Sequence, residues 1–257
     1  MILKLCVKEV LRFLLRVFYV FRVKSNRVLF ESYSGERICC NPFYIYDNIE
    51  KIVGSNVEIA WSVKPKCNNE YADIKCVKRF SLSYFKYLMT AKVYITNIGG
   101  YDYIPFRKTQ IVINTWHAGG AYKKIEKDFY DIGRCQWLYN RSILHFSKAT
   151  SYFLSSSYST TKCMSSAWNL HEDKFVKLGL PRNDVFFSAQ KMNELSNCIR
   201  DRFNIKQSDF VVLYAPTFRN TTSSPSYDWS LKENELLEAV KKRFAAKRVI
   251  LFLRYHM

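Results

Sequence analysis

The segment His117-Ala118-Gly119-Gly120-Ala121-Tyr122-Lys123-Lys124 combines an imidazole, two adjacent glycines and two adjacent cations. Histidine exchanges a proton near neutral pH, so His117 is a candidate general base. Gly119 and Gly120 allow close backbone approach. A helix opening at Lys123 and Lys124 would add free N–H groups and positive charge, a layout that suits phosphate. Alone, the segment reads better as a Gly-rich turn with a hydrogen-bonded histidine. Three further segments share its chemistry. Gly179-Leu180-Pro181-Arg182-Asn183-Asp184 is a tight turn presenting Arg182, Asn183 and Asp184. Pro216-Thr217-Phe218-Arg219-Asn220 offers Thr217 and Arg219, and Arg254-Tyr255-His256 offers Arg254 and His256. A single arginine is more often a solvated charge. Together the four segments outline an anion-binding cleft. Lys123 and Lys124 are its weakest members, since a lysine pair at a helix start can be merely solvated.

Each segment follows a stretch with strand character. Short β-branched or aromatic runs, apolar almost throughout, occur at 28–32, 57–63, 74–78, 92–96, 110–116, 150–154, 175–178, 211–215 and 249–254. Such runs fit strands buried on both sheet faces. Helical periodicity lies between them at 42–53, 82–91, 129–148, 159–168, 193–203 and 231–246. This alternation predicts a doubly wound α/β architecture with a parallel sheet. Ligands in such folds bind outside the carboxyl ends of the strands, where the four segments fall. A domain boundary is expected near residues 182–190, which divides the chain into 1–27, 28–187 and 188–257.

The 257 residues carry 40 Lys+Arg against 22 Asp+Glu, a formal charge of +18, with 48% hydrophobic and 24% charged residues. That composition is globular and excludes a disordered polyelectrolyte or a multi-span membrane protein. The charge favours an anionic partner. Within residues 1–27, Lys4, Lys8, Arg12 and Arg16 repeat every four positions along one helix face, opposite a broad apolar face. This amphipathic pattern predicts a helix lying in an anionic membrane interface; a helix packed on the protein's own core is the alternative. The uninterrupted apolar run 17–21 is too short to span a bilayer, and no signal-peptide layout is present. Eight scattered cysteines without metal-ligand spacing read as reduced core filler, with no metal site.

The set of motifs resembles the CDP-glycerol glycerophosphotransferases of teichoic acid and capsular polymer synthesis. The resemblance rests on Phe30-Glu31-Ser32-Tyr33-Ser34-Gly35, Asn41-Pro42, Ile45-Tyr46 and Asn114-Thr115-Trp116-His117 through Lys124. It extends to Gly179 through Asp184, Tyr214-Ala215-Pro216-Thr217-Phe218-Arg219 and Leu253-Arg254-Tyr255-His256. It implies a GT-B-like fold: a Rossmann-like N-terminal domain on the acceptor side and a second Rossmann-like domain on the CDP-donor side. It also implies a peripheral enzyme on the cytoplasmic membrane face that needs no cofactor beyond its CDP-polyol donor. Such an enzyme moves glycerol phosphate, or a related polyol phosphate, to a hydroxyl of a lipid-linked or polymeric acceptor and releases CMP. By this resemblance His117 deprotonates the attacking hydroxyl, and His256, Arg254, Arg219 and Thr217 contact the donor phosphates. The wording after Trp116-His117 departs from the commoner Gly-Thr-Pro-Leu-Lys, which leaves polyol and acceptor open. The family pattern also continues beyond the motif that ends at Met257, so the second domain is expected to be incomplete.

Two other classes remain open. One is an inactive, membrane-bound remnant that only binds anionic polymers. The other is a nucleic-acid-binding protein, disfavoured because no recognisable motif occurs and the aromatics fall in core-like runs.

Overall fold

The computed structural model describes residues 2–54, 56–65, 73–215, 232–244 and 248–254. The chain divides into two compact units, Met1–Asp184 and Val185–Met257.

In the first unit the strands are β1 (Lys24–Glu31), β2 (Glu58–Val63), β3 (Cys76–Lys78), β4 (Ala91–Thr96), β5 (Ile111–Asn114), β6 (Tyr152–Leu154) and β7 (Phe175–Val176). They form one seven-stranded sheet in the order β3-β2-β1-β4-β5-β6-β7, with every pairing parallel. The helices are α1 (Ile2–Leu14), α2 (Cys40–Val53), α3 (Leu82–Thr90), α4 (Gln136–Ala149) and α5 (Tyr158–Trp168). Alternation along β1 sorts its side chains between two cores. Val28 and Phe30 join Trp61, Val63 and Ile95 under α2, whereas Leu29 joins Ala60, Val112 and the buried residues of α3, α4 and α5. Ser81 and Ser157 cap α3 and α5 by accepting from the N–H groups of Tyr84 and Thr160. Asn169, in the left-handed region at φ 51°, ends α5.

In the second unit, helices α6 (Ala189–Arg202) and α7 (Glu233–Phe244) accompany the parallel strands β8 (Phe210–Tyr214) and β9 (Val249–Leu253). Phe210 stacks on Phe244 at 4.4 Å, and Phe203 meets Phe252 edge-on at 4.9 Å.

Three expectations are corrected. First, residues 129–135 are not α-helical. Gly133 lies at φ 61° and a 3-10 turn, Gly133–Cys135, precedes α4, so the apolar periodicity ran on through a glycine whose positive φ breaks the helical turn. Second, α1 is amphipathic but docks by a mixed face, on which buried Leu5 and partly buried Leu11 pack into the core beside Lys8 and Arg12. Lys8 Nζ donates to Asp102 Oδ1 at 2.8 Å, and the Arg12 guanidinium donates to the Asp102 carbonyl at 2.6 and 3.0 Å. Ser142 also donates to the Asp102 carboxylate. A buried carboxylate requires partners, and these side chains meet that requirement. In consequence the apolar side chains Leu3, Phe13 and Val17 point outward, at 77%, 71% and 69% exposure. Third, the seven cysteines among the described residues are free but none is fully buried.

Candidate active site

Strand order reverses between β1 and β4, the point at which ligands bind in open parallel sheets. The loops leaving β1, β4 and β5 meet there. Tyr33, just past β1, donates its N–H to Asn97 Oδ1 at 2.9 Å. Asn97, just past β4, places its own carbonyl 2.9 Å from Nδ1 of His117. A carbonyl can only accept, so Nδ1 carries the proton and Nε2 keeps the lone pair of a base. Burial holds the His117 pKa below its usual value. The neighbouring Arg182 and Lys123 charges push the same way, while the Asn97 carbonyl opposes them.

Asn41 fixes this loop. Fully buried in the first turn of α2, it donates from Nδ2 to the carbonyls of Thr115 and Trp116 at 3.1 and 2.9 Å. Its Oδ1 accepts from the Arg182 N–H at 3.2 Å. Trp116, at φ 50°, turns the chain after β5, and Asn114 Oδ1 holds its N–H at 2.8 Å. Arg182 reaches back through Nη1 to the His117 carbonyl at 2.8 Å and to Cys40 Sγ at 3.2 Å. Sequence reasoning singled out His117 and Arg182, and they are in direct contact. It missed Asn41 and Asn97, neutral amides whose partners lie far along the chain. Asn41-Pro42 is among the stretches that carry the family resemblance, but neither amide is singled out there as a site residue.

The rest of the predicted set is less gathered. Gly119 accepts from Ser156 Oγ at 2.7 Å, which ties the loop to the start of α5. A Cβ at Gly120 would meet only the outer end of the exposed Tyr122 ring, at 2.9 Å, which can swing aside. Lys123 is exposed, and no α-helix opens at Lys123-Lys124; a 3-10 turn, Glu126–Asp128, follows. The helix N-terminus expected at this loop is therefore absent. Asn183 and Asp184 are exposed on the 3-10 helix Pro181–Phe187. Arg254 is exposed at the carboxyl end of β9, its N–H donating to the Tyr214 carbonyl at 2.9 Å. Thr217, Arg219 and His256 lie outside the described residues.

Cys39 and Cys40 are adjacent but differ in acidity. Burial opposes ionisation of Cys40, yet hydrogen bonds from Tyr33, Asn97, the Asn41 N–H and Arg182 outweigh it and lower its pKa. Burial raises that of Cys39. Iodoacetamide, which reacts with thiolates, is expected to alkylate Cys40 at lower pH than Cys39. Peptide mass spectrometry across a pH series reads the order, and a reversed order contradicts this account of the Arg182 contact.

Comparisons with known proteins agree with this fold. The teichoic acid poly(glycerol phosphate) polymerase of Bacillus spizizenii is 28% identical over 249 residues, covering 92% of this chain and 62% of its own length. The polymerase of the same description from Staphylococcus epidermidis is 29% identical, with 91% and 33% covered. The teichoic acid ribitol-phosphate polymerase TarL of Staphylococcus aureus is 28% identical, with 77% and 34% covered. A solved structure of the wall teichoic acid polymerase TagF, a variant soaked with CDPG, superposes with a TM-score of 0.78 at 26% identity. That match covers 97% of this chain and 61% of the TagF chain. The chain thus spans between a third and about two thirds of the length of these relatives. The model of the CDP-glycerol:poly(glycerophosphate) glycerophosphotransferases matches residues 13–257, and the chain belongs to that family.

Proposed function

We propose that the chain acts in transfer of glycerol phosphate, or a related polyol phosphate, from its CDP derivative to an acceptor hydroxyl in teichoic-acid or capsule-like polymer synthesis. His117 carries the reading: its Nδ1 is committed to the Asn97 carbonyl, its Nε2 is free to act as a base, and it sits at the β1/β4 switch point. In this reaction the acceptor oxygen attacks phosphorus, the bond to the CMP oxygen breaks, and His117 takes the hydroxyl proton. Positioning and charge neutralisation supply most of the rate in phosphoryl transfer. Arg219, Arg254, Thr217 and His256 are assigned to the donor phosphates on the family resemblance. Release of CMP from CDP-glycerol in the presence of acceptor, dependent on His117, is the test.

The same reading places the protein peripherally on an anionic membrane. Among the described residues no helix is long and apolar enough to cross one. The support is the outward apolar ridge of α1 with Val17 and Val20 beyond it, flanked by exposed Lys4, Arg16 and Arg22. Burying one large apolar side chain contributes about 1.5–3 kcal/mol. Replacing Leu3, Val10, Phe13 and Val17 together by serine is therefore expected to weaken binding to phosphatidylglycerol vesicles at least about 100-fold. The fold should survive, since all four are exposed. Unchanged co-sedimentation with vesicles refutes the membrane assignment.

A further inference from the structure

Beside the His117 loop lies a cavity of about 620 Å³. One wall is the backbone from Ala121 to Ile125 and the other is α5, with Lys123, Lys124 and Lys162 around it. Met164 and Ala167, both buried, form an apolar floor. The carboxylate lining it, Asp128, already accepts from Ser166 Oγ at 2.9 Å. The bond from Ser156 Oγ to the Gly119 carbonyl holds the two walls in register.

We infer that this cavity seats an acyclic phosphodiester chain, the growing acceptor, whose anions meet Lys123, Lys124 and Lys162 while its terminal hydroxyl lies at His117. The inference rests on His117 being the base. It adds Lys162, a residue with no role so far, and a direction for the acceptor chain away from the histidine. Three considerations select the ligand. The cations outnumber the one lining carboxylate, so the occupant is a polyanion. All three are lysines, compact charges on flexible stems that follow spaced phosphates; the rigid fork of arginine suits one fixed diphosphate better. No α-helix begins at this wall, so the convergent N–H groups that hold a nucleotide diphosphate are missing from it. The lining residue Ala121 follows His117 by four positions along the same loop, which places one end of the cavity near the base.

Titration calorimetry of the full chain with a synthetic oligo(glycerol phosphate) tests this. Lys162→Gln combined with Lys123→Gln is expected to weaken oligomer binding roughly 10–30-fold and to flatten its salt dependence. Lys162→Arg, which keeps the charge, should restore most of the affinity to the Lys162→Gln single variant. Binding of phosphatidylglycerol vesicles should not change. A double variant that binds the oligomer like wild type overturns the inference. So does one that loses vesicle binding and keeps oligomer binding, because the lysines then serve a lipid headgroup. Failure of the transferase reading shows separately, as CMP release indifferent to His117→Ala.

Discussion

Replacing His117 by alanine is expected to slow CMP release from CDP-glycerol about 10²–10⁴-fold, the usual worth of a positioned base. The thermal unfolding midpoint should barely move, because the lost side chain is partly exposed and makes one neutral hydrogen bond. The pH dependence carries a sign as well. Burial, the largest influence, lowers the His117 pKa below 6.5. The imidazole therefore stays neutral and competent as pH falls past the point where an ordinary histidine protonates. The acid limb of the rate profile should begin below pH 6.5. The same shift means that the unfolded chain binds more protons in the window below pH 6.5. Stability should accordingly rise with pH through that window and level off above it. A stopped assay of CMP against pH and melting curves across pH, for wild type and His117→Ala, read all three. A His117→Ala protein with wild-type turnover removes the histidine from the chemistry.

Glu31→Ala is expected to cost about 3–5 kcal/mol of stability. Glu31 ends β1 inside the Phe30-Glu31-Ser32-Tyr33 motif, yet its work is structural. Its Oε2 accepts from Ser62 Oγ at 2.6 Å and from Arg79 Nε at 3.1 Å, with side-chain exposures of 2% for Glu31 and 12% for Arg79. Alanine leaves the Arg79 guanidinium buried without its counter-charge, and most of the cost lies in that stranded cation. Glu31→Leu combined with Arg79→Met removes both charges together and should cost far less than the single change. Urea unfolding of wild type, single and double variants separates the two. Equal destabilisation by single and double variants rejects the stranded-charge account.

The two residues show how far the sequence could be read. Each of the nine strands among the described residues overlaps an apolar run, because strands buried in a sheet leave little room for polar residues; the polar first half of β1, residues 24–27, was missed. Their ends were less visible. The run 110–116 shortens to Ile111–Asn114 because Gln110 turns its amide to the carbonyls of Leu88 and Ala91, and Trp116 adopts a positive φ. His117 and Arg182 were found because titratable and cationic groups stand out after strands. Asn41 and Asn97 were not, since an amide's value depends on which carbonyls it meets, and those of Asn41 come from residues 74 and 75 positions away. For α1, periodicity defined two faces but could not choose the inward one. Asp102, some 90 residues downstream, makes that choice.

That separation has a consequence in time. At about 5–20 residues per second of synthesis, the 90 residues between Arg12 and Asp102 take roughly 5–18 s to emerge. Throughout that interval the helix lacks its Asp102 contacts, while its apolar ridge is already complete. A bilayer lying near the ribosome can therefore be met before the domain is finished. Under the proposed membrane role, attachment would then come first in the life of each molecule, with the sheet assembled onto a helix already at the bilayer.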